Sequence, residues 1–324
     1  MSAPGVPVTE QVAQEPLDPQ VAEIFRDLFD VPMPPEFASP AEALNAARLT
    51  FPTLVKNLRG TAASPYPVVI ADQEVAGEPP VRVRTYAPTS DSSFPDVLLF
   101  IHGGGWVMGA PEDLDYEMCA FAHHLNMRVV SVDYRLAPEH PYPAAFDDCM
   151  LVVAQLRQDP QVGRIAVAGD SAGGNLAAAV AIGCRDEGVT LAAQLLIYPA
   201  LDPTQQLPSH DVFGVGYGLT KADMVANWAA YLPQPHLWQM PTAAPAASAS
   251  LRGVAPAVVV TARYDPLCDE GDAYAARLVA EGVPTTHLQN PSLPHAFLIM
   301  TPRVQVADRA VRRAMNALAH YLKL

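Results

Sequence analysis

The chain has 324 residues, half of them hydrophobic, which is enough to bury a large core and excludes global disorder. Its formal charge is −14 and it has no basic run, so it repels phosphate backbones and no nucleic-acid partner is expected. Cys119, Cys149, Cys184 and Cys268 stand far apart, with no CxxC pair, no HExxH and no Cys/His cluster; they read as reduced, buried thiols rather than disulfides or metal ligands.

The start, MSAPGVPVTEQVAQEP, lacks the basic and apolar regions of a signal peptide. The longest largely apolar stretch, Ala172 to Cys184, is too short and too rich in Gly and Ala to span a bilayer. A cytoplasmic protein without stable membrane association is therefore expected.

Residues 1–60 read as mainly helical. PQVAEIFRDLF puts Val21, Ile24, Phe25, Leu28 and Phe29 on one face. SPAEALNAARLTF opens with Ser39 as N-cap and Pro40 at the first helical position. From about Tyr66 the pattern changes. YPVVI and VRVRTYAP read as antiparallel edge strands. Strands and helices then alternate: DVLLFIHG, DYEMCAFAHHLN, RVVSVDYR, PAAFDDCMLVVAQLRQ, RIAVAGDS, AGGNLAAAVAIGCRDEG and LAAQLLIYP. Such alternation builds an α/β fold, a mostly parallel central sheet of about eight strands with helices on both faces. Between Leu201 and Ser250 the rhythm breaks into a Pro-rich segment with one clear helix, TKADMVANWAAYL, an insertion over the sheet. It resumes with strand PAVVVTARYD, helix DEGDAYAARLVAEG, short strand TTHLQN and a final helix. The domain reading is thus 1–60 helical, 61–200 and 251–324 as two parts of one core, and 201–250 inserted. The last strand leaves an unpaired edge, which would allow a homodimer.

The chemistry concentrates in four places. GDSAG, Gly169 to Gly173, sits between a buried strand and a helix. There G-x-S-x-G makes a turn so tight that only small residues fit around it, lifting the Ser171 hydroxyl above the sheet at a helix N-terminus. A serine nucleophile needs a base, and the base an orienting acid, later in the chain at strand ends. Asp265 ends AVVVTARYD, and His295 lies in the loop after TTHLQN. Asp269 and Asp272 are rivals for the acid but fall within a helix; Asp202, after a strand, is the stronger rival. His287 and His320 read as packing or surface residues. Finally, VLLFIHGGGWVMG places glycines directly after a strand. Acyl transfer develops negative charge on a carbonyl oxygen, and bare backbone can meet it; Gly103, Gly104 and Ala172 are the expected N–H donors.

With these residues assembled, the chain resembles the hormone-sensitive-lipase family of α/β-hydrolases, the bacterial carboxylesterases with an HGGG block. IHGGGWVMG, DYRLAPEHPYPAAFDD, GDSAGGNLA, YPALD and TARYDPLCDEG match family blocks in family order, from about Leu17 to the C-terminus. The resemblance implies Ser171 as nucleophile, Asp265 as acid, His295 as base, and Gly103, Gly104 and Ala172 as oxyanion donors. It also implies a cap made of the N-terminal helices and part of 201–250. It implies short- to medium-chain ester substrates and no metal or other cofactor. Two positions depart from the family: Ala296 follows the histidine where glycine is usual, and Cys268 stands where arginine is common, so an ion pair formed there in relatives is not expected here. Phe25, Phe37, Phe213 and Tyr217 are candidate pocket walls. The expected activity is a serine carboxylesterase acting on a small-molecule ester. The alternatives are an amidase, lactonase or deacetylase using the same residues, or a receptor with an idle triad.

Overall fold

A computed structural model describes residues 15–29, 39–89 and 95–323. Helix α1 (Pro19–Phe29) buries Val21, Ile24 and Phe25, as the spacing requires. In α2 (Pro40–Arg59) the Ser39 hydroxyl accepts the Glu42 amide at 3.2 Å, satisfying one of the orphan donors at the helix start.

One eight-stranded sheet follows: β1 (Val68–Val75), β2 (Val81–Pro88), β3 (Val97–Ile101), β4 (Arg128–Val132), β5 (Ile165–Asp170), β6 (Gln194–Ile197), β7 (Ala257–Tyr264) and β8 (Thr285–Pro294). Its order is β1-β2-β4-β3-β5-β6-β7-β8. β2 runs antiparallel to both β1 and β4, and the remaining pairs are parallel. Helices α3 (Asp115–Leu125) and α9 (Gln305–Leu322) cover one face; α4 (Ala144–Gln158), α5 (Ala172–Asp186) and α8 (Cys268–Ala280) cover the other. The period-2 geometry of a strand explains the division in β3: Val97, Leu99 and Ile101 join the α4–α5 side, while Leu98 and Phe100 join the α3–α9 side. Each of these side chains is fully buried, worth ~1.5–3 kcal/mol apiece.

Residues Ala172 to Cys184 of α5 are all buried, and their small side chains let the helix lie close against β3, β5 and β6. The 201–250 segment holds α7 (Lys221–Tyr231), as expected, and a short extra helix, α6 (Pro208–Val212). β8 is ten residues long, reaching Pro294 where TTHLQN alone was expected. Pro291 and Pro294 resemble turn residues, but β8 is an edge strand, where a missing N–H is tolerated. The extension delivers the chain directly to His295.

Candidate active site

The nucleophile turn is set by sterics. Ser171 sits at φ 56°, ψ −119°, between the last residue of β5 and the first of α5. A non-glycine residue held there stores on the order of 1–3 kcal/mol. A Cβ on Gly169 would lie 2.1 Å from the Gly173 carbonyl oxygen, and one on Gly173 would lie 2.0 Å from that of Ile101. Both positions therefore demand glycine. The turn is held by Ser171 N–H donating to Ile197 O at 2.9 Å and Ala200 N–H donating to Ser171 O at 3.1 Å.

Three distant segments meet here. His295 Nε2 lies 2.9 Å from Ser171 Oγ, and its Nδ1 lies 2.7 Å from Asp265 Oδ2. Asp265 is fully buried, and its Oδ1 accepts the Leu267 amide at 2.9 Å. An ionised Asp265 fixes the tautomer with the proton on Nδ1, leaving the Nε2 lone pair for the serine proton. The rival acids are engaged elsewhere. Asp202 accepts from Thr204, Asp269 accepts the Ser209 amide, and Asp272 holds Thr261, His287 and Gln289. His287 thus serves β7–β8–α8 packing, and the His320 ring lies against Tyr321. Ala296 adopts φ 60°, the left-handed region that glycine favours, and His295 keeps its contacts beside it. Cys268 is buried at the start of α8 with its thiol pushed up by burial.

The glycine run is a correction to the sequence reading. The Gly103 N–H donates to Asp170 Oδ1 at 2.8 Å, so it has no free proton to offer an oxyanion. The amides of Gly104, Gly105 and Ala172 have no acceptor among the described residues. Gly104 and Gly105, at φ 114° and 61°, line the cavity above Ser171. A Cβ on Gly104 would lie 2.1 Å from Met108 O, and one on Gly105 2.3 Å from the Asn227 side chain. Gly105 was missed because three consecutive glycines are equivalent on paper. The turn is braced by His102, whose Nδ1–H donates to Gly103 O at 2.7 Å and whose ring stacks on Tyr134 at 4.3 Å. Burial lowers the pKa of His102 and keeps it neutral.

The cavity has a volume of about 500 Å³. Phe25 of α1 and Phe51, Leu54, Val55 and Leu58 of α2 form an apolar wall; Met224 and Asn227 of α7 face it. Its charged side chains are Asp113, Asp170 and Asp223, with no lysine or arginine among the described lining residues. Phe213 and Tyr217 are absent from the wall. They form an aromatic cluster with Tyr264, 5.1–5.6 Å between centroids, because the chain turns them toward the strand end before Asp265 rather than into the cavity. Phe37 lies outside the described residues. The roof is tied down from the middle and from the C-terminal end of α2. Arg48 donates to Val107 O, Ala137 O and both Glu139 oxygens, and Arg59 to Asp113 O and Glu117. α7 is seated through Trp106, which follows the glycines and stacks on Tyr231 at 4.6 Å.

A family model described as alpha/beta hydrolase fold matches residues 98–299, most of the chain. The chain belongs to the α/β-hydrolase fold family, of the hormone-sensitive-lipase type. This α/β-hydrolase is 38% identical over 253 residues to Carboxylesterase NlhH of Mycobacterium tuberculosis, covering 75% of the chain and 79% of that relative. It is 39% identical over 235 residues to Carboxylic ester hydrolase LipN of the same organism, covering 69% of the chain and spanning only 62% of that relative's length. Among solved structures it is similar to the ester-hydrolase EH1AB1 from the metagenome of Lake Arreo, complexed with a derivative of bipyridine phosphonate. That match has a TM-score of 0.87 at 34% identity, over 95% of this chain and 100% of the other. No helix among the described residues is long and apolar enough to cross a membrane.

Proposed function

We propose that this α/β-hydrolase hydrolyses carboxylic esters through an acyl-enzyme on Ser171. One observation carries the reading: the Ser171–His295–Asp265 hydrogen-bond relay lies beside three unclaimed backbone amides. His295 Nε2 takes the Ser171 proton as Oγ attacks the ester carbonyl carbon. The carbonyl electron pair moves onto oxygen, where the Gly104, Gly105 and Ala172 amides receive it. The tetrahedral adduct collapses, and the departing alkoxide takes the proton back from His295. Water then repeats the sequence on the acyl-enzyme and releases the acid. The base works only when neutral.

The apolar wall and the absence of a lining cation among the described residues support neutral esters of short to medium acyl chain, received under a cap made of α1, α2 and the 201–250 segment. An ester carrying a free carboxylate is expected to lose at least ~10-fold in kcat/KM against its neutral methyl ester at low salt, a gap that narrows as salt screens the field. Equal turnover of the two would remove the charge argument. Four buried free thiols support a reducing compartment, and the outer edge of β8 supports a homodimer, which a size-exclusion measurement tests directly.

The mechanism is tested with Ser171→Ala on a p-nitrophenyl butyrate assay. The expected loss is ~10⁶ in kcat. Hydrolysis at the wild-type rate would end the proposal. Parallel assays on anilides and lactones separate the amidase and lactonase alternatives.

A further inference from the structure

Asp170 has no part in the relay, yet its placement is costly. It ends β5 next to the nucleophile, is only 4% exposed, and forms no ion pair with lysine or arginine among the described residues. Burying a carboxylate without a cation is unfavourable by several kcal/mol unless strong hydrogen bonds compensate. Its clearest partner is a single backbone amide, Gly103 N–H to Oδ1 at 2.8 Å. The Tyr198 hydroxyl stands at 3.5 Å from Oδ2, a marginal contact. Gly103 is in turn pressed against the carboxylate: a Cβ there would lie 2.6 Å from Asp170 Oδ2 and 3.0 Å from its carbonyl oxygen. One side chain therefore joins the residue before the nucleophile to the residue before the two free glycine amides.

We propose that Asp170 is a positioning residue for the oxyanion turn, fixing the end of β3 at the distance from Ser171 that acyl transfer requires. The inference rests on the esterase reading and deepens it. By claiming the Gly103 amide, the carboxylate settles which glycines of the run stay free. A neutral acceptor of the same shape would make the same bond, so position rather than charge is the quantity supplied. The charge has a secondary effect. The groups that feel it are His295 after β8, Tyr198 after β6, Tyr134 after β4 and Glu117 of α3. Burial raises the carboxyl to about 6, so above that pH an anion faces the imidazole.

The experiment compares Asp170→Ala and Asp170→Asn in the full chain, on a p-nitrophenyl ester and with a trifluoromethyl ketone, which forms a tetrahedral oxyanion on the serine. Asp170→Ala is expected to lose ~10²-fold in kcat with KM nearly unchanged, and its ketone Ki should rise by the factor that kcat/KM falls. Asp170→Asn keeps the acceptor, so both constants stay within about threefold of wild type. If Asp170→Ala does not fold, Asp170→Glu takes its place, displacing the acceptor by ~1.5 Å with the same expected loss. An alanine variant with wild-type kcat, or an asparagine variant as damaged as alanine, would overturn the inference. A wild-type protein that neither hydrolyses the ester nor binds the ketone would instead sink the esterase reading itself.

Discussion

The floor of the cavity and its roof are built on different principles. The floor consists of strand ends: Ser171 after β5, Asp265 after β7, His295 after β8 and the glycine turn after β3. Every one of these strands is anchored in a parallel ladder, so the reacting groups inherit the rigidity of the sheet. The roof is three helices, α1, α2 and α7, held by apolar contact, by the guanidinium groups of Arg48 and Arg59, and by the stack on Trp106. The contrast teaches that chemistry here belongs to fixed backbone and selectivity to side chains that can be exchanged.

The contrast can be broken at the floor first. Asp265→Asn should lose ~10⁴ in kcat, since the neutral amide no longer enforces the His295 tautomer; steady-state kinetics that show a smaller loss than a roof variant would invert the picture. Gly105→Ala should cost ~10²–10³ in kcat by disturbing one oxyanion donor, with KM little changed. At the roof, Phe51→Ala is expected to change kcat/KM by no more than ~10-fold while reordering preference among acyl chain lengths, measured on a p-nitrophenyl ester series. The smallest effect is thermodynamic. Asp170 titrates at about 6 in the folded chain against 3.8 when free, so wild type loses stability as pH rises through that window. Asp170→Asn lacks this loss. Its unfolding free energy, from denaturant titrations, should match wild type near pH 4 and exceed it near pH 8, by an amount on the order of 1–3 kcal/mol.

The same division governs what could be read in the sequence. The meeting of Ser171, Asp265 and His295 was legible because Ser171 and Asp265 follow apolar strand runs and His295 lies in the segment after the last strand signal, at the same rim of the sheet. The Ser39 cap of α2 was legible for a local reason, the side-chain bond to Glu42 three residues on. The choice between Gly103 and Gly105 was not, because it depends on an acceptor 67 residues away. Nor was the fate of Phe213 and Tyr217, since a loop aromatic meets a cavity or another ring with equal ease and only the chain path decides. The length of β8 was obscured by prolines that an edge strand accommodates.

The four thiols carry a practical consequence. None exceeds 5% exposure, and burial raises their pKa, Cys184 to about 12, so each is kept protonated and shielded. Alkylating agents such as iodoacetamide should leave the native protein untouched and modify it only as the core opens. The rate of cysteine modification thus becomes an intrinsic clock for unfolding, one that can run alongside a serine-directed label without cross-talk.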